Sequence, residues 1–162
     1  MPEMTGRPLS PESDIVFEKI AYTHCHVLEA LHETSFEHPW TAQEFTQLLN
    51  HDGTGGLMAL NAQHIPLGFV LMRSVLDEAE ILTFCVEPKH RGRKIARRML
   101  ESAMTMYKAR GINRIFLEVA EDNLPASKLY QGCGFNRVGQ RPGYYREPGK
   151  VAAAAIIMTC SW

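Results

Sequence analysis

One segment decides the fold: Phe84-Cys85-Val86-Glu87-Pro88-Lys89-His90-Arg91-Gly92-Arg93-Lys94-Ile95-Ala96-Arg97-Arg98. It begins as an apolar strand, continues as a loop, and enters a helix whose apolar residues recur every three or four positions as far as Tyr107. Six of the ten residues from Lys89 to Arg98 are Lys or Arg, and none is acidic. Because a helix N-terminus presents free backbone N–H groups and the positive end of the helix dipole, the segment predicts an anion site, above all for phosphate.

The distribution of charge along the chain supports an anionic ligand. Residues 1–88 contain 3 Lys and Arg against 13 Asp and Glu, whereas residues 89–162 contain 14 against 5. The formal net charge of −1 therefore averages a half of −10 and a half of +9. The simpler alternative to an anion site is a basic helix face that contacts only solvent. We expect no direct nucleic-acid contact, because the basic run has no interleaved aromatic residues and the acidic half would repel a long polyanion.

Length and composition place the chain among ordinary single-domain proteins. Its 162 residues are 45% hydrophobic and 22% charged, which excludes disordered, collagen-like and disulfide-rich classes. The longest apolar run, residues 151–158, is too short to cross a membrane, and the first residues do not resemble a secretion signal. The four scattered cysteines predict a cytoplasmic protein. We expect no metal site, since His24 and His26 are two positions apart without a second ligand pair.

Working outward from the basic loop, the pattern predicts one α/β domain over residues 14–162, preceded by a flexible tail at 1–13. The element order is β-α-α-β-β-β-α-β-α-β-β, a mixed and mostly antiparallel sheet flanked by helices. Thr41 and Asn123 are predicted helix N-caps, Thr41 with Glu44 as a capping box. The predicted strands are 15–20, 56–60, 65–75, 79–86, 114–119, 135–138 and 152–159, and a loop holding Tyr144 and Tyr145 separates the last two.

Several short motifs, in this order and spacing, resemble those of the GNAT superfamily of N-acetyltransferases over residues 15–160. Within the superfamily they are most similar to the bacterial ribosomal-protein alanine N-acetyltransferases of the RimI type. The resemblance implies a GNAT-like domain and acetyl-CoA as co-substrate. The motifs are His38-Pro39-Trp40, Leu76-Asp77-Glu78-Ala79, Val86-Glu87-Pro88, Leu117-Glu118-Val119, Asn123, Leu129-Tyr130, Gly134-Phe135-Asn136, Tyr144-Tyr145 and Ile156-Ile157-Met158.

The resemblance also implies where acetyl-CoA binds. The family pattern Gln/Arg-x-x-Gly-x-Gly/Ala, which contacts the pyrophosphate, corresponds to Arg91-Gly92-Arg93-Lys94-Ile95-Ala96, with Lys94 in place of the central glycine. By the same resemblance, a backbone N–H of the strand segment Phe84-Cys85-Val86 stabilises the oxyanion, and Asn123 lies against the pantetheine arm. A nucleophilic role for Cys85 is not expected, because the family transfers acetyl directly and no neighbour in sequence activates the thiol.

Two residues are predicted to carry the chemistry. Glu118 is the one acid in an otherwise apolar strand, and the resemblance implies that it is the general base, acting through water. The alternative to a general base is that Glu118 is a structural carboxylate, held by a neighbouring Arg. Tyr130 corresponds to the family tyrosine that returns a proton to the CoA thiolate, although a tyrosine at this spacing is also typical of a core aromatic.

The resemblance implies that the acceptor is the α-amine of a ribosomal protein that begins with Ala. The resemblance also implies that four acidic residues lie on the elements that flank the acceptor groove: Glu33, Glu37, Asp77 and Glu78. Because ribosomal proteins are basic, we expect an acidic acceptor side to attract them. The stretch from Gly149 to Ala155 departs from the family, which usually carries an acidic patch there. The alternatives are an acetyltransferase for a small amine or a Lys side chain, and a non-catalytic acetyl-CoA-binding module.

Overall fold

The computed structural model describes residues 14–145, 148–149 and 153–162, so the predicted tail at 1–13 lies outside it. The predicted order of strands and helices is confirmed. A short 3-10 turn precedes the first helix and another follows the fourth strand. The strands are β1 Val16–Lys19, β2 Thr54–Leu60, β3 Pro66–Val75, β4 Glu78–Val86, β5 Arg114–Ala120, β6 Asn136–Tyr145 and β7 Ala153–Ser161, and the helices are α1 Cys25–Glu33, α2 Ala42–Leu49, α3 Ile95–Ala109 and α4 Leu124–Gly132.

All seven strands form one sheet in the order β1-β2-β3-β4-β5-β7-β6. β2, β3 and β4 form the predicted antiparallel meander, and β5 pairs antiparallel with β7, which pairs with β6. Among the strands of the described residues, β4 and β5 are the one pair that runs parallel, and α3 connects them. The sheet is therefore mixed and mostly antiparallel, as predicted.

Two helices begin at the caps that the sequence predicts. The Thr41 hydroxyl accepts a hydrogen bond from the Glu44 backbone N–H, and the Glu44 carboxylate accepts one from the Thr41 N–H at 2.7 Å. The Asn123 side-chain oxygen accepts from the Ala126 N–H at 3.3 Å. Both caps satisfy backbone donors that a helix start leaves free, so these boundaries follow from local chemistry.

The prediction for Tyr144 and Tyr145 is wrong, because β6 continues to Tyr145 and pairs with Ala153 of β7. The strand continues past Val138 through Gly139 and Pro142, residues that locally disfavour a strand. β6 lies at the edge of the sheet, where one side of the backbone has no strand partner, and Pro and Gly are tolerated in such strands. The register shifts within β6 accommodate them.

The sheet separates two hydrophobic cores. On one face α3 and α4 pack against the sheet around Met99, Leu100 and Tyr107. On the other face α1 and α2 cover β2, β3 and β4 around Leu28 and Phe45. Alternate residues of a strand point to opposite faces, so the face of each strand residue can be assigned from the core it joins.

β4 and β5 separate part of the way along the sheet. Their pairing covers three residue pairs, Glu78 to Glu80 with Arg114 to Phe116. Immediately afterwards β4 contains a bulge at Leu82, because Ile81 pairs with Met72 and Thr83 with Leu71. A bulge bends its strand, and here the bend accompanies the opening of the sheet into a cleft.

Candidate functional site

The cleft between the diverging ends of β4 and β5 has a volume of about 650 Å³. Its walls are completed by the segment after α1, the start of α3, and α4. Most of the site residues predicted from the sequence line it, although they come from four separate parts of the chain: Phe84, Cys85, Val86, Arg91, Ala96, Glu118, Asn123 and Tyr130.

The other four predicted residues, Gly92, Arg93, Lys94 and Ile95, belong to the loop that enters α3. Lys94 is the N-cap of α3, and its side chain makes no capping hydrogen bond. The first helical hydrogen bond runs from the Arg98 N–H to the Lys94 carbonyl. The backbone N–H groups that precede Arg98 in the first turn have no helical carbonyl to donate to. The uncapped N-terminus lies at the cleft and suits an anion.

Lys94 has a left-handed backbone, with φ of 60° and ψ of 14°. A glycine adopts this conformation freely, whereas a side chain makes it unfavourable by about 1–2 kcal/mol. Glycine at this position of the family pattern would therefore relieve an unfavourable backbone conformation. It would also leave space for a phosphate. Gly92, two residues earlier, also has a positive φ, of 77°.

The side chains around this helix start do not all face the cleft. Ile95 is buried in the core between α3 and the sheet, so it can contact a ligand only through its backbone. Arg93 lines a separate pocket of about 200 Å³ with residues of the β2–β3 turn. Arg97 pairs with Glu101 at 2.9 Å, and Arg98 lies over the ring of Phe17.

Arg91 links the basic loop to the opposite side of the cleft. Its Nε donates to the Val86 carbonyl at 2.9 Å, and its Nη2 donates to the Ser35 hydroxyl at 3.1 Å. Ser35 follows α1 and also lines the cleft. The guanidinium therefore tethers the segment between α1 and α2 to the end of β4.

Cys85 is unsuited to nucleophilic attack. Its thiol lies in the core beneath α1, with Sγ 3.9 Å from the Leu31 carbonyl oxygen. Burial raises the pKa of this thiol to about 12, so it stays protonated near neutral pH.

Glu118 projects from β5 toward the face of the sheet that α1 and α2 cover. Its neighbours Leu117 and Val119 join the core on the α3 face, so Glu118 points the other way. The side chain is 22% exposed, and its carboxylate pairs with Arg141 of β6 at 2.8 Å. The Arg-held carboxylate that the sequence left as an alternative is thus present, in a side chain that also lines the cleft.

Tyr130 and Asn123 lie on the α4 side of the cleft. Tyr130 is 7% exposed, and its ring packs near Phe84 and Phe135, with centroids 6.3 and 5.7 Å away. It is therefore a core aromatic that also borders the cleft. Asn123 caps α4 and borders the cleft as well, so its structural role leaves room for contact with a ligand.

A hydrogen-bonded histidine supports the α1–α2 side of the cleft and was missed by the sequence analysis. His32 is 2% exposed. It accepts a hydrogen bond from the Trp40 backbone N–H at Nδ1, over 2.9 Å, and its Nε2 lies 3.0 Å from the Thr83 hydroxyl. Burial lowers the pKa of His32 to about 4, so the ring is neutral. The sequence signal was its helical spacing of four residues from the buried Leu28.

The expectation for Asp77 and Glu78 is wrong. Both lie at the paired end of β4, where Glu78 bonds to Arg114 and Asp77 accepts from the Asn113 side chain. Neither residue lines the cleft, whose lining on β4 begins at Ile81, three residues after Glu78 and roughly 10 Å along a strand. Glu33 and Glu37 are exposed on either side of the cleft residues Ser35 and Phe36.

Among the described residues, no group of three or more His, Cys, Asp or Glu side chains is arranged to hold a metal ion. The helices within the same ranges are all too short or too polar to span a bilayer.

Comparison with known proteins identifies the family. Residues 25–135 match the model of the acetyltransferase (GNAT) family. The chain belongs to this family. It is an N-acetyltransferase, and the GNAT family uses acetyl-CoA.

The relatives of this GNAT enzyme include two bacterial [ribosomal protein bS18]-alanine N-acetyltransferases. The protein from Haemophilus ducreyi is 32% identical over 121 residues, covering 74% of this chain and 81% of the relative. The protein from Escherichia coli K12 is 30% identical over 129 residues, covering 74% and 83%. The crystal structure of the ribosomal-protein-S18-alanine N-acetyltransferase from Escherichia coli superimposes with a TM-score of 0.84, at 23% identity over 91% and 93% of the two chains.

The fold is shared more widely than one acceptor class. A spermidine/spermine N-acetyltransferase from Vibrio cholerae superimposes with a TM-score of 0.77 at 20% identity, covering 94% and 95% of the two chains. This likeness concerns the fold. The acceptor of the present chain must therefore be argued from its own cleft.

Proposed function

We propose that this enzyme transfers the acetyl group of acetyl-CoA to the α-amine of a protein N-terminus, with a ribosomal protein that begins with Ala as the acceptor. The observation that carries the proposal is one cleft in which an uncapped basic helix N-terminus, a carboxylate and a phenol meet. The names of the relatives at 30–32% identity support the choice of acceptor. Such an acceptor is made in the cytoplasm, where the four free thiols would persist.

The α3–α4 side of the cleft suits acetyl-CoA. The first-turn N–H groups of α3 and the positive charge of Lys94 attract the pyrophosphate, and the backbone at Gly92 allows a tight turn there. Asn123 and the β4 segment Phe84-Cys85-Val86 border the path of the pantetheine arm. β4 has left β5 at this point but still pairs with β3, so its backbone N–H groups that point away from β3 are available to the thioester oxygen.

Glu118 serves as the general base. At neutral pH the α-amine is largely protonated, since its pKa is about 8. Glu118 accepts the amine proton through a water molecule, and the nitrogen lone pair attacks the thioester carbon. The new C–N bond forms first, and a β4 N–H stabilises the oxyanion of the tetrahedral intermediate. The C–S bond then breaks, and Tyr130 donates its phenolic proton to the departing thiolate. The amide nitrogen releases its second proton to water, from which the tyrosinate recovers a proton, so the products are CoA and an acetylated amine.

The α1–α2 side suits a basic peptide that begins with a small residue. Phe36 and Ser35 narrow the cleft on this side, and the exposed carboxylates of Glu33 and Glu37 flank them. Two acidic groups at the entrance attract a positively charged N-terminus and a basic chain behind it. The family departure at residues 149–155 includes positions 150–152, which lie outside the described residues.

The experiment is a panel of acceptors with acetyl-CoA, read as release of the CoA thiol. It contains a basic peptide that begins with Ala, the same peptide with its α-amine blocked, a peptide that begins with Leu, and spermidine. The proposal predicts the highest kcat/KM for the free Ala peptide and no reaction at the blocked α-amine. Faster turnover of spermidine would establish the small-amine alternative. Stabilisation by acetyl-CoA without turnover of any amine would establish the binding module.

A further inference from the structure

The segment that connects α1 to α2 forms the wall of the cleft on the side of Glu118. Ser35 and Phe36 border the cleft, and Phe36 is 39% exposed, so its ring is available to a bound molecule. Thr83 of β4 borders the same region and is 8% exposed. Ser35 and Phe36 come from one segment and Thr83 from another element, so something must hold the two in register.

His32 contacts every part of this wall. Because Nδ1 accepts the Trp40 N–H, the proton of the neutral ring is on Nε2, which donates to the Thr83 hydroxyl. The ring of Phe36 stacks on His32 with centroids 4.1 Å apart, and that of Trp40 stacks at 5.0 Å. One buried ring thereby fixes the chain on both sides of Phe36 and joins it to β4.

We infer that His32 is a positioning residue for the acceptor, acting through Phe36 and Thr83. The inference rests on the proposed function, because it takes the α1–α2 side of the cleft to be the acceptor side. His32 itself is too buried to touch a substrate. A wall held in one conformation binds the acceptor without first having to be ordered, and this lowers the entropic penalty of binding. Arg91 of the basic loop reaches the same wall at Ser35, whereas the contacts of the His32 ring are to Thr83, Trp40, Phe36, Phe45 and Phe69.

The test compares His32→Asn with wild type in steady-state kinetics with both substrates varied. Asn retains an acceptor near the position of Nδ1 and loses both the stacking ring and the bond to Thr83. We expect the KM of the Ala-starting peptide to rise about tenfold, equivalent to about 1.4 kcal/mol. We expect the KM of acetyl-CoA and kcat to change by less than about twofold. His38→Asn, the same change at an exposed position of this segment, should leave all three constants unchanged.

A second pair of variants keeps the test decisive if His32→Asn does not fold. Thr83→Val removes the hydroxyl and should raise the acceptor KM, whereas Thr83→Ser keeps the hydroxyl and should restore it. An unchanged acceptor KM in folded variants, or a parallel rise for both substrates, would overturn the inference. Failure of the proposed function is seen separately, as absence of peptide turnover by wild type. The same constants are then measured with the amine that wild type does acetylate, and the same selective rise is expected.

Discussion

The α3–α4 side of the cleft and the α1–α2 side are held in different ways. The first is formed by the backbone at a helix start, with Lys94 in a left-handed conformation and no side-chain cap. The second is held by side chains, with the buried His32 bonded to Thr83 and to the Trp40 backbone. Backbone N–H groups bind any phosphate, whereas a fixed aromatic wall discriminates by shape. Substitutions on the α3–α4 side should therefore affect acetyl-CoA, and substitutions on the α1–α2 side should affect the acceptor. Substitutions between the two sides should affect the acetyl-transfer step.

The largest expected effect lies between the two sides, at Glu118. We expect Glu118→Gln to lower kcat/KM for the Ala peptide about a thousandfold near pH 7, within the range for loss of a general base. The deficit should shrink above pH 8, where the α-amine loses its proton unaided. The measurement is a pH profile of thiol release.

Arg141→Gln is the matched control for Glu118→Gln. The Arg141 end of the ion pair is exposed, and a pair open to solvent contributes about 0–1 kcal/mol, so loss of Arg141 should change stability little and leave most of the activity. If both variants lost activity equally, the ion pair itself would be what matters, and the role of Glu118 as base would be wrong.

The next prediction concerns His32 on the α1–α2 side, and the quantity affected is the free energy of unfolding. The pKa of His32 is about 4 in the folded protein and about 6.5 in an unfolded chain, because burial opposes the charged ring more than Glu44 favours it. The unfolded chain therefore binds one more proton between these values. The contribution of His32 to the free energy of unfolding is complete above pH 6.5. It falls by about 1.4 kcal/mol per pH unit below this value, and by about 3 kcal/mol in all when the pH reaches 4.

Urea unfolding at pH 7, 5.5 and 4.5 measures this loss. Other groups also titrate in this range, so the relevant quantity is the difference between wild type and His32→Asn. The variant should be less sensitive to acid than wild type. Parallel stability curves for the two proteins would show that His32 does not titrate as its burial requires.

On the α4 side, Tyr130→Phe is expected to lower kcat about a hundredfold through loss of the proton donor, with little change in either KM. Tyr107→Phe is the control, since that hydroxyl is buried in the core of α3 and has no hydrogen-bond partner among the described residues. Its removal should leave kcat unchanged and stabilise the fold by up to about 1 kcal/mol. Full activity of Tyr130→Phe would reduce Tyr130 to a packing residue.

The smallest expected effect is at Lys94. Lys94→Ala keeps the strained left-handed conformation, whereas Lys94→Gly relieves it. We expect Lys94→Gly to be the more stable of the two by about 1 kcal/mol in urea unfolding. Equal stabilities would mean that the left-handed backbone is not retained at this position.

Local patterns in the sequence predicted most of the fold. The caps at Thr41 and Asn123, the apolar stripe of α3 and the basic loop each depend on residues close together in the chain. The end of β6 could not be predicted, because its pairing with β7 outweighs the local preference of Gly139 and Pro142 for a break.

The candidate site was predicted where a motif marks it and missed where tertiary contacts create it. The bulge at Leu82 has no local signature, and the bond between His32 and Thr83 joins residues 51 positions apart. The expected placement of Asp77 and Glu78 was wrong because charge alone does not reveal which end of a strand opens into the cleft.

The most direct test of the central claim is the position of the acetyl group in one product. A basic peptide that begins with Ala and contains an internal Lys offers an α-amine and a side-chain amine to the same enzyme and acetyl-CoA. Fragment masses from tandem mass spectrometry assign the acetyl group to one nitrogen. The proposed function predicts acetylation at the α-nitrogen of Ala with the Lys unmodified. Acetylation at the Lys side chain with a free N-terminus would contradict it.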